Sequence, residues 1–369
     1  MNKQKVCFML SSLSPGGVEN YLLRFLSYVN GRYDVTILCA YEDQVDLLDK
    51  YVALGVTVVF RKTGYYNPLN WVGLYQYFKE KDFDAVCNFA GNFAGVSILI
   101  AKLSGIKKRI TSYRRSSHGF KSTSIKLLYD YIVKQLVFMF STDIISNSEY
   151  AFKVFFLDKY KTDSRFRVIR NGIDSKKLIC PDDKATLKAK YGIPVNSYVI
   201  GHVARYDPSK NHNTIFKVAR EIFNKCDDAV FIFCGKETDC SEMRKMTAET
   251  DVKRVYLLGT QSDVPSIYKM MDLFYFPSVT EGQPNALIEA MLCGLPVVTS
   301  SIEPIKEVIP ETNHYTLIDA YDVKAAVETL LSIKNGLNIM EKYVFKNWAR
   351  KMVDPKNNFE EFCEVIDEI

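Results

Sequence analysis

The sequence predicts an α/β protein with two doubly wound, Rossmann-like parallel sheets. Short apolar runs alternate with helical segments along almost the whole chain, which is the pattern of repeated β-α-β units. The alternation pauses in a polar stretch at 176–190, which we interpret as a linker, and then restarts. With 369 residues, the chain is long enough for two domains at ~150 residues each. Ligands of such sheets bind at the carboxyl ends of the strands, so both domains can offer loops to a shared cleft.

In the first half, each predicted strand is followed by a helical segment. Leu22, Leu23, Leu26 and Val29, for example, recur at helical spacing after the first strand. The predicted strands are 5–10, 33–38, 56–60, 83–89, 109–113, 143–147 and 166–169. The predicted helices are 18–29, 45–54, 68–78, 94–104, 125–140 and 149–156.

The second half repeats this alternation, and its last part is helical. The predicted strands are 198–203, 229–234, 255–258, 273–276, a strand beginning at 295, and 315–318. The predicted helices are 213–223, 242–249, 264–271, 285–292 and 323–331, followed by one or two amphipathic helices from 341. We therefore expect an N-terminal domain at 1–180, a C-terminal domain at 190–345, and a helical tail at 346–369 that packs back on the N-terminal domain.

Composition and cysteine usage bound the class of protein. Apolar residues make up 47% of the chain and charged residues 25%, as in ordinary globular proteins. Nine cysteines, an odd number without a C-x-x-C pair, favour reduced thiols over a disulfide framework or a zinc site. No stretch approaches the ~20 apolar residues of a membrane span, and the run at 6–10 is too short for a signal-peptide core. We therefore expect a cytoplasmic protein.

Charge is distributed unevenly along the chain. Residues 1–190 hold 29 Lys/Arg against 17 Asp/Glu, a net of +12, and the remainder holds 19 against 26, a net of −7. Within 102–134, nine basic residues face a single acid, Asp130. Such a patch is either a solvated face or a surface for an anionic membrane, a phosphate-bearing substrate or nucleic acid. Its apolar neighbours favour a membrane or a substrate, and we expect no nucleic-acid partner.

Residues 272–301 predict a strand, a loop, a helix and a second strand, with two carboxylates near the helix. Glu281 lies in the loop, and Glu289 follows about two helical turns later. The N-terminus of a helix favours anions, phosphate above all. Because a carboxylate repels phosphate, the two side chains are better suited to accept hydrogen bonds from sugar hydroxyls. Paired carboxylates also serve glycoside hydrolysis, and a plain structural role is the alternative for Glu289.

Two further loops offer groups for phosphate. Gly16 and Gly17 open a helix after the first strand, where backbone amides can approach an anion, although a turn without a ligand has the same pattern. Arg205 and Lys210 follow the first strand of the second half and bracket a proline turn. A guanidinium and an ammonium on one loop suit a diphosphate, whereas two surface cations are the alternative. A G-x-G-x-x-G motif is absent, which disfavours a dinucleotide-dependent dehydrogenase.

The histidines give weaker indications. His118 follows the fifth strand and is a candidate general base, although a lone histidine in a basic loop is more often solvated. The other three, His202, His212 and His314, lack the spacing of metal ligands. We therefore expect no protein-bound metal.

Five motifs follow one another in the chain. They are Gly16-Gly17-Val18-Glu19, Arg170-Asn171-Gly172-Ile173-Asp174, Arg205 with Lys210-Asn211, Leu258-Gly259 before Asp263-Val264, and Glu281-Gly282 with Glu289-Ala290-Met291 and Gly294-Leu295-Pro296. Together they resemble glycosyltransferase family 4, the retaining, nucleotide-sugar-dependent enzymes of GT-B fold. The resemblance covers nearly the whole chain and is most specific in the last motif, which keeps the E-x7-E spacing.

The resemblance implies a role for each matched residue. Arg205 and Lys210 would bind the donor diphosphate and stabilise the leaving nucleotide, with backbone amides of Gly16 and Gly17 nearby. Glu289 would accept hydrogen bonds from the ribose. The donor sugar would be held by Glu281 and the residues that follow it, which are Gly282, Gln283, Pro284, Asn285 and Ala286. The base would lie at the turn formed by Leu258 and Gly259.

The resemblance also implies a chemistry. Two cations would neutralise the diphosphate, so no metal and no other cofactor is expected. In a front-face mechanism the leaving phosphate receives the proton of the acceptor, which agrees with the lack of a strong general-base signature. One position departs from the family pattern. Many members have a histidine where this chain has Arg114, and His118 lies four residues later, so either side chain is a candidate to contact the reacting sugar.

The resulting expectation is a retaining transferase of hexose-type sugars. We expect a nucleotide-sugar donor, UDP- first and GDP- second, and a polyprenyl-diphosphate-linked or oligosaccharide acceptor in capsule, O-antigen or lipopolysaccharide synthesis. The domain at 1–180 would be the acceptor side, and the domain at 190–345 would bind the nucleotide sugar. The basic N-terminal domain would bind the inner face of the cytoplasmic membrane peripherally. Two alternatives are a nucleotide-sugar 2-epimerase, which needs no acceptor, and a non-catalytic nucleotide-sugar-binding partner of another enzyme.

Overall fold

A computed structural model describes residues 3–43, 45–63, 67–116, 124–336 and 342–368, the last range with side chains from 345. The chain forms two compact units. The first unit comprises the chain up to Ile173 together with the segment from Asp354, and the second unit comprises Asp174–Val353. Each unit is built around its own parallel sheet.

Seven parallel strands form the sheet of the first unit. They are β1 (Lys5–Leu10), β2 (Asp34–Cys39), β3 (Thr57–Phe60), β4 (Ala85–Asn88), β5 (Lys108–Tyr113), β6 (Asp143–Ser146) and β7 (Phe166–Val168). Their order in space is β3-β2-β1-β4-β5-β6-β7, so the direction of winding reverses between β1 and β4, where Val6 pairs with Ala85. Ligands of doubly wound sheets bind at the carboxyl ends of the strands beside such a reversal.

In the described part of this unit, six helices lie between the strands. They are α1 (Gly17–Val29), α2 (Leu48–Val52), α3 (Pro68–Lys81), α4 (Gly95–Leu103), α5 (Ser124–Phe140) and α6 (Glu149–Phe156). A 3-10 turn at Gly91–Ala94 precedes α4 and replaces the start of the predicted helix 94–104. Helices α4 and α5 approach closely, because a Cβ added at Gly95 would lie 2.2 Å from the carbonyl oxygen of Val133.

The sheet of the second unit has six parallel strands. They are β8 (Tyr198–Val203), β9 (Ala229–Cys234), β10 (Val255–Leu257), β11 (Leu273–Phe276), β12 (Val297–Ser300) and β13 (Leu317–Ile318). The order β10-β9-β8-β11-β12-β13 reverses between β8 and β11. The predicted strand 315–318 is shorter than expected, because a 3-10 segment at Glu311–Thr316 takes its first residues and Thr316 Oγ1 donates to the Asn313 carbonyl at 2.9 Å.

Among its described residues, the second unit has eight helices. They are α7 (Lys184–Lys190), α8 (His212–Phe223), α9 (Ser241–Ala248), α10 (Val264–Met270), α11 (Asn285–Leu292), α12 (Glu303–Lys306), α13 (Val323–Lys334) and α14 (Lys342–Met352). The prediction of a linker at 176–190 is wrong for its second half, which forms α7. The Asp183 carboxylate caps this helix by accepting from the Thr186 amide at 2.9 Å. Lys184 binds Asp272 at 2.5 Å, and Leu187 is buried.

The last helix, α15 (Pro355–Asp367), packs in the first unit. Phe362 lies 4.7 Å from Phe25 between ring centroids, and Asp367 forms an ion pair with Arg32 at 2.5 Å. Helix α14 lies in the second unit instead, so the tail boundary predicted at 346 falls inside a helix of that unit.

The predicted fold class, two doubly wound parallel sheets, is confirmed. All nine cysteines are free thiols. Within the described ranges, no helix combines the length and the apolar character that crossing a bilayer requires.

Candidate active site

Two loops meet where the strand order of the second sheet reverses. Lys210 lies in the loop after β8, and Glu281 lies in the loop after β11. The backbone amide of Val279 donates to the carbonyl of Ser209 at 2.9 Å, which joins the two loops. Lys210 Nζ lies 2.5 Å from Glu281 Oε1, and the two side chains are only 17% and 10% exposed. A cation and a carboxylate predicted for one ligand are therefore in direct contact at the carboxyl edge of the sheet.

The loop after β8 is held by short-range hydrogen bonds. Asp207 caps the 3-10 turn Pro208–Lys210 by accepting from the amide and the hydroxyl of Ser209 at 2.8 and 2.6 Å. Burial opposes the charge of Asp207, but these hydrogen bonds and the nearby cations outweigh it, and the pKa of Asp207 lies below its usual value. Arg205 lies 3.3 Å from Asp207 with its side chain 59% exposed, so its guanidinium is accessible to a ligand.

Asn211 connects this loop to the body of the second unit. It has a left-handed backbone with φ 59°, a conformation that asparagine tolerates better than most residues. Its side-chain amide donates to the carbonyl of Ala320 at 2.7 Å. This anchor fixes the residue next to Lys210 at the start of α8.

Helix α11 begins at Asn285, with Pro284 as its N-cap residue. Glu289 lies in its second turn and is almost fully buried. The hydroxyl of Tyr268 lies 3.1 Å from both Glu289 Oε2 and the carbonyl oxygen of Ala286. Burial, together with the charge of Glu289, raises the pKa of Tyr268 well above its usual value, so this hydroxyl acts as a donor. Sequence reasoning missed Tyr268, because the residue lies in the preceding helix α10.

A glycine pair brings the predicted base-binding turn next to the Arg205 loop. The amide of Gly235 donates to the carbonyl of Gly259 at 2.8 Å. A Cβ at Gly235 would lie 2.2 Å from the carbonyl oxygen of Ala204, so a side chain cannot be accommodated there. Gly259 has φ +61°, and the carbonyl of Leu258 accepts from the Gln261 side chain at 2.5 Å. The Leu258–Gly259 turn and the Arg205 loop thus lie on either side of Gly235.

His202 and His212 lie below these loops as buried, neutral rings. His202 Nδ1 contacts the carbonyl oxygen of Tyr275 at 2.9 Å, and the two histidine rings are 5.1 Å apart. Burial lowers the pKa of His212 to about 4 and that of His202 well below its usual value. The ring of Phe276 stacks on His202 at 5.6 Å between ring centroids. Lys210 Nζ lies 5.4 Å from the centroid of the same ring, in a cation–π contact.

A cavity of about 400 Å³ lies in the first unit, where the sheet reverses between β1 and β4. Val18 and Glu19, from the first turn of α1, line it. Gly16 has an extended backbone with φ −145°, and a Cβ at Gly17 would meet no atom within 4 Å. Gly17 is therefore required neither by backbone conformation nor by packing in this structure. The carboxylate of Glu19 lies against Gly16 at this helix N-terminus, where a Cβ on Gly16 would be 2.3 Å from Glu19 Oε2.

Arg114 lines the same cavity and is held from three sides. Its Nε donates to Ser112 Oγ at 2.8 Å, and its Nη1 donates to Asn171 Oδ1 at 2.6 Å. The guanidinium lies 3.7 Å above the ring of Tyr21. Asn171 belongs to a motif for which sequence reasoning offered no role. The other candidate at this position, His118, lies outside the described residues.

Sequence reasoning also missed a buried polar cluster in this cavity. Asn92 Nδ2 lies 2.9 and 3.0 Å from the two carboxylate oxygens of Asp130, and the Tyr113 hydroxyl donates to Asn92 Oδ1 at 2.7 Å. In the sequence, Asp130 is distinguished only as the one acid of the basic region 102–134. Over the described parts of the chain, no group of three or more His, Cys, Asp or Glu side chains could hold a metal ion.

Comparison with known proteins identifies the class. The model of Glycosyltransferase Family 4 matches residues 15–177, and the model of Glycosyl transferases group 1 matches residues 183–350. The chain is thus a glycosyltransferase. This result favours group transfer over the epimerase and over the non-catalytic binding partner. The chain belongs to glycosyltransferase family 4, as the motifs indicated.

Individual relatives span nearly the full length of the chain. It is 28% identical to the UDP-Gal:alpha-D-GlcNAc-diphosphoundecaprenol alpha-1,3-galactosyltransferase of Escherichia coli, over 92% of this chain and 90% of that protein. It is 22% identical to the capsular polysaccharide biosynthesis glycosyltransferase CapH of Staphylococcus aureus, over 93% of each. The crystal structure of Anabaena HepE with UDP and glucose superposes with a TM-score of 0.81 at 19% identity, covering 99% of this chain and 100% of that one. The predicted GT-B fold is confirmed.

Proposed function

We propose that this glycosyltransferase moves a hexose-type sugar from a UDP-sugar to a lipid-linked or saccharide acceptor during synthesis of a surface polysaccharide. The Escherichia coli relative is named for UDP-galactose and an acceptor on diphosphoundecaprenol, and the Staphylococcus aureus relative is named for capsule synthesis. A GDP-sugar is the second candidate donor.

The contact between Lys210 and Glu281 carries the donor part of the proposal. When a donor binds, its diphosphate replaces Glu281 as the anionic partner of Lys210 and also contacts Arg205. Glu281 then accepts hydrogen bonds from the donor sugar. The backbone that follows Glu281, at 282–286, completes this sugar site. Glu289 binds the ribose, and the Leu258–Gly259 turn contacts the base.

The first unit adds groups for the phosphates. The backbone amides of Gly16 and Gly17 lie at the N-terminus of α1, and helix N-termini attract anionic oxygens. Arg114 occupies the position of the family's histidine and contacts a phosphate oxygen through its guanidinium. Ser112 and Asn171 hold this side chain in one orientation, so little conformational entropy is lost when it binds.

Transfer proceeds with retention at the anomeric carbon. The acceptor oxygen forms a bond to that carbon on the face from which the phosphate departs, and the bond between the carbon and the phosphate oxygen breaks. The acceptor proton passes to the leaving phosphate. Arg205 and Lys210 stabilise the negative charge that develops on this phosphate. Such preorganised charges are effective because they need no rearrangement during the reaction. His202 and His212 take no part, since both are buried and neutral.

Helix α5 provides the surface for the membrane that carries a lipid-linked acceptor. Val133 and Val137 are buried on its inner face, and Ile125, Leu128 and Ile132 are 82%, 61% and 48% exposed. At 100° per residue, these three side chains share a stripe opposite the buried one. Lysines at 126 and 134 lie on the same helix. An apolar stripe on a helix that also carries lysines suits the surface of an anionic bilayer.

A donor screen followed by a transfer assay tests the function. The intact chain is titrated with UDP-, GDP-, ADP- and CMP-sugars in a thermal-shift assay, and the best donor is incubated with a short-chain N-acetylglucosaminyl diphospholipid. We expect a UDP-sugar to raise Tm most, and NMR of the product to show the anomeric configuration of the donor. Isomerised donor without transfer would indicate an epimerase, and an inverted product would overturn retention.

A further inference from the structure

The polar cluster in the cavity of the first unit joins three elements. Asp130 comes from α5, Tyr113 from β5, and Asn92 from the turn between β4 and α4, and all three are at most 5% exposed. Burying a carboxylate and an amide is unfavourable unless their hydrogen bonds are satisfied. Such a cluster at the ligand-binding edge of the sheet therefore points to a function.

Two glycines bring the three elements together. Gly91 has φ +58°, and a Cβ there would lie 3.2 Å from the ring of Tyr113. Gly95 lets α4 approach the backbone of α5 at Val133, one turn beyond Asp130. Larger residues at either position would move Asn92 or α5 and break the cluster.

The direction of each hydrogen bond follows from the chemistry of Tyr113. Burial, and then the charge of Asp130, raises the pKa of Tyr113 well above its usual value, so its hydroxyl is protonated and donates to Asn92 Oδ1. Asn92 must then direct its Nδ2 donor to Asp130. A carboxylate has about four lone-pair sites, so the hydrogen bond from Asn92 does not by itself saturate Asp130.

The surroundings of Asp130 suit a sugar. Phe89 and Phe93 supply apolar ring faces in the cavity wall, and the amide of Asn88 donates to Ser97 Oγ at 2.8 Å on another side. A volume of about 400 Å³ falls in the ~300–1,000 Å³ range of small-molecule sites. Hydroxyl groups are donors that a fixed carboxylate can discriminate by position.

We propose that Asp130 is a specificity-determining residue that accepts a hydrogen bond from one hydroxyl of the acceptor sugar, with Asn92 and Tyr113 as positioning residues. The inference rests on the proposed function, since it assigns the acceptor of that reaction to this cavity. Helix α5 then serves both parts of a lipid-linked acceptor. Its inner face presents Asp130 to the sugar, and its exposed apolar stripe faces the lipid.

Binding of simple glycosides tests the site without turnover. Saturation-transfer NMR is recorded on the intact chain, with UDP present, for the methyl α-glycosides of glucose, galactose, mannose and N-acetylglucosamine. We expect at least one to bind, and Asp130→Asn to weaken that binding about tenfold or more, because hydrogen bonds to charged groups contribute that much. Absence of binding by all four glycosides, or equal binding by the variant, would overturn the proposal.

Acceptor kinetics test the assignment of the hydroxyl. With the N-acetylglucosaminyl diphospholipid and its 4-deoxy and 6-deoxy forms, the wild type should lose about tenfold in kcat/KM for one deoxy acceptor, and Asp130→Asn should lose this discrimination. Tyr113→Phe should raise the acceptor KM with little change in kcat. Equal discrimination by wild type and Asp130→Asn would contradict the role. Lack of turnover by the wild type would instead count against the proposed function, while glycoside binding still decides this inference.

Two controls separate specificity from folding. Asp143→Asn removes another buried carboxylate of the same sheet, 2.8 Å from Lys108, and should lower Tm while leaving glycoside binding unchanged. The Tm increase caused by UDP should persist in Asp130→Asn. If Asp130→Asn does not fold, Asn92→Ser is tested in its place. This variant keeps the charge of Asp130, removes the amide donor and should still weaken glycoside binding. Unchanged binding in folded Asn92→Ser would overturn the proposal.

Discussion

Lys210 and Glu281 are 71 residues apart in the chain, and their Nζ and Oε1 atoms are 2.5 Å apart. This ion pair joins the loop after β8 to the loop after β11, at the point where the strand order of the second sheet reverses. In the absence of a donor, the carboxylate compensates the charge of the ammonium. In the proposed function, a diphosphate that binds Lys210 would free Glu281 for sugar hydroxyls, so phosphate binding and sugar binding would be coupled through this one contact.

Replacing Lys210 with alanine should therefore reduce turnover about 100-fold or more, as removal of other charge-stabilising contacts does. The loss should appear in kcat, because the charge on the leaving phosphate is greatest in the transition state. Steady-state kinetics with the best donor measure it. Wild-type kcat in the folded variant would refute the assignment of the diphosphate.

A second ion pair of the same sheet supplies a matched control. Lys184 Nζ lies 2.5 Å from Asp272, at the amino end of β11, which is the edge opposite the candidate site. Lys184→Ala should lower Tm by a few degrees and leave kcat within about twofold. A comparable loss of turnover in both variants would mean that stability, and not phosphate binding, explains the effect.

The fold was predictable because apolar periodicity is a local signal. The alternation of strands and helices, the loops with Lys210 and Glu281, and the helix that carries Glu289 all follow from short stretches of sequence. Helix α7 was missed because its sequence is mostly polar, and Leu187 is one of its few buried side chains.

Contacts between distant elements were not predictable in the same way. Asn92, Tyr113 and Asp130 come from a turn, a strand and a helix, and no spacing in the sequence connects them. Tyr268 likewise reaches Glu289 from another helix. Such contacts follow from the packing of the sheet and its helices, which a single sequence specifies only through the complete fold.

The bond between Tyr268 and Glu289 gives a prediction about donor affinity. Glu289→Gln should raise the donor KM about tenfold with kcat nearly unchanged, because a ribose contact is made equally in the ground state and the transition state. Tyr268→Phe should have a smaller effect in the same direction. Donor KM values for the UDP-sugar and its 2′- and 3′-deoxyribose forms measure this. If Glu289→Gln lowers kcat and leaves all donor KM values unchanged, the ribose assignment is wrong.

Chelation should leave turnover largely intact. Arg205 and Lys210 neutralise the diphosphate in the proposed mechanism, so a divalent ion is not needed for that task. The transfer rate is measured after dialysis against EDTA and again after addition of Mg²⁺ or Mn²⁺. Full loss with EDTA and recovery with either ion would overturn the metal-free mechanism.

Acid should destabilise the second unit through its buried histidines. Burial lowers the pKa of His212 to about 4, whereas an unfolded histidine titrates near ~6.5. Between these values the unfolded chain binds a proton that the folded chain does not, so the free energy of unfolding falls as pH decreases from about 6.5 to about 4. The effect amounts to on the order of 3 kcal/mol at most for this residue.

Substitution of His212 isolates this contribution. His212→Phe keeps an aromatic ring beside Phe233 and removes the titrating group. Its Tm should fall less steeply than that of the wild type between pH 6.5 and 4.5, although His202 retains part of the dependence. Asp207 titrates below this window, since its pKa is lowered. Parallel Tm curves for wild type and variant would contradict the prediction.

The exposed stripe of α5 should control binding to membranes. Replacing both Leu128 and Ile132 with glutamate removes apolar area and adds charge, so partition into vesicles that contain phosphatidylglycerol should fall about tenfold or more, at ~1.5–3 kcal/mol for each buried side chain. Vesicle sedimentation measures the bound fraction. Higher salt should weaken the attraction between the basic side chains and the anionic lipids. Val252→Glu changes an equally exposed apolar residue of the second unit and should bind as the wild type does. Absence of wild-type binding to anionic vesicles, or equal binding by the α5 double variant, would rule out this surface as the membrane contact.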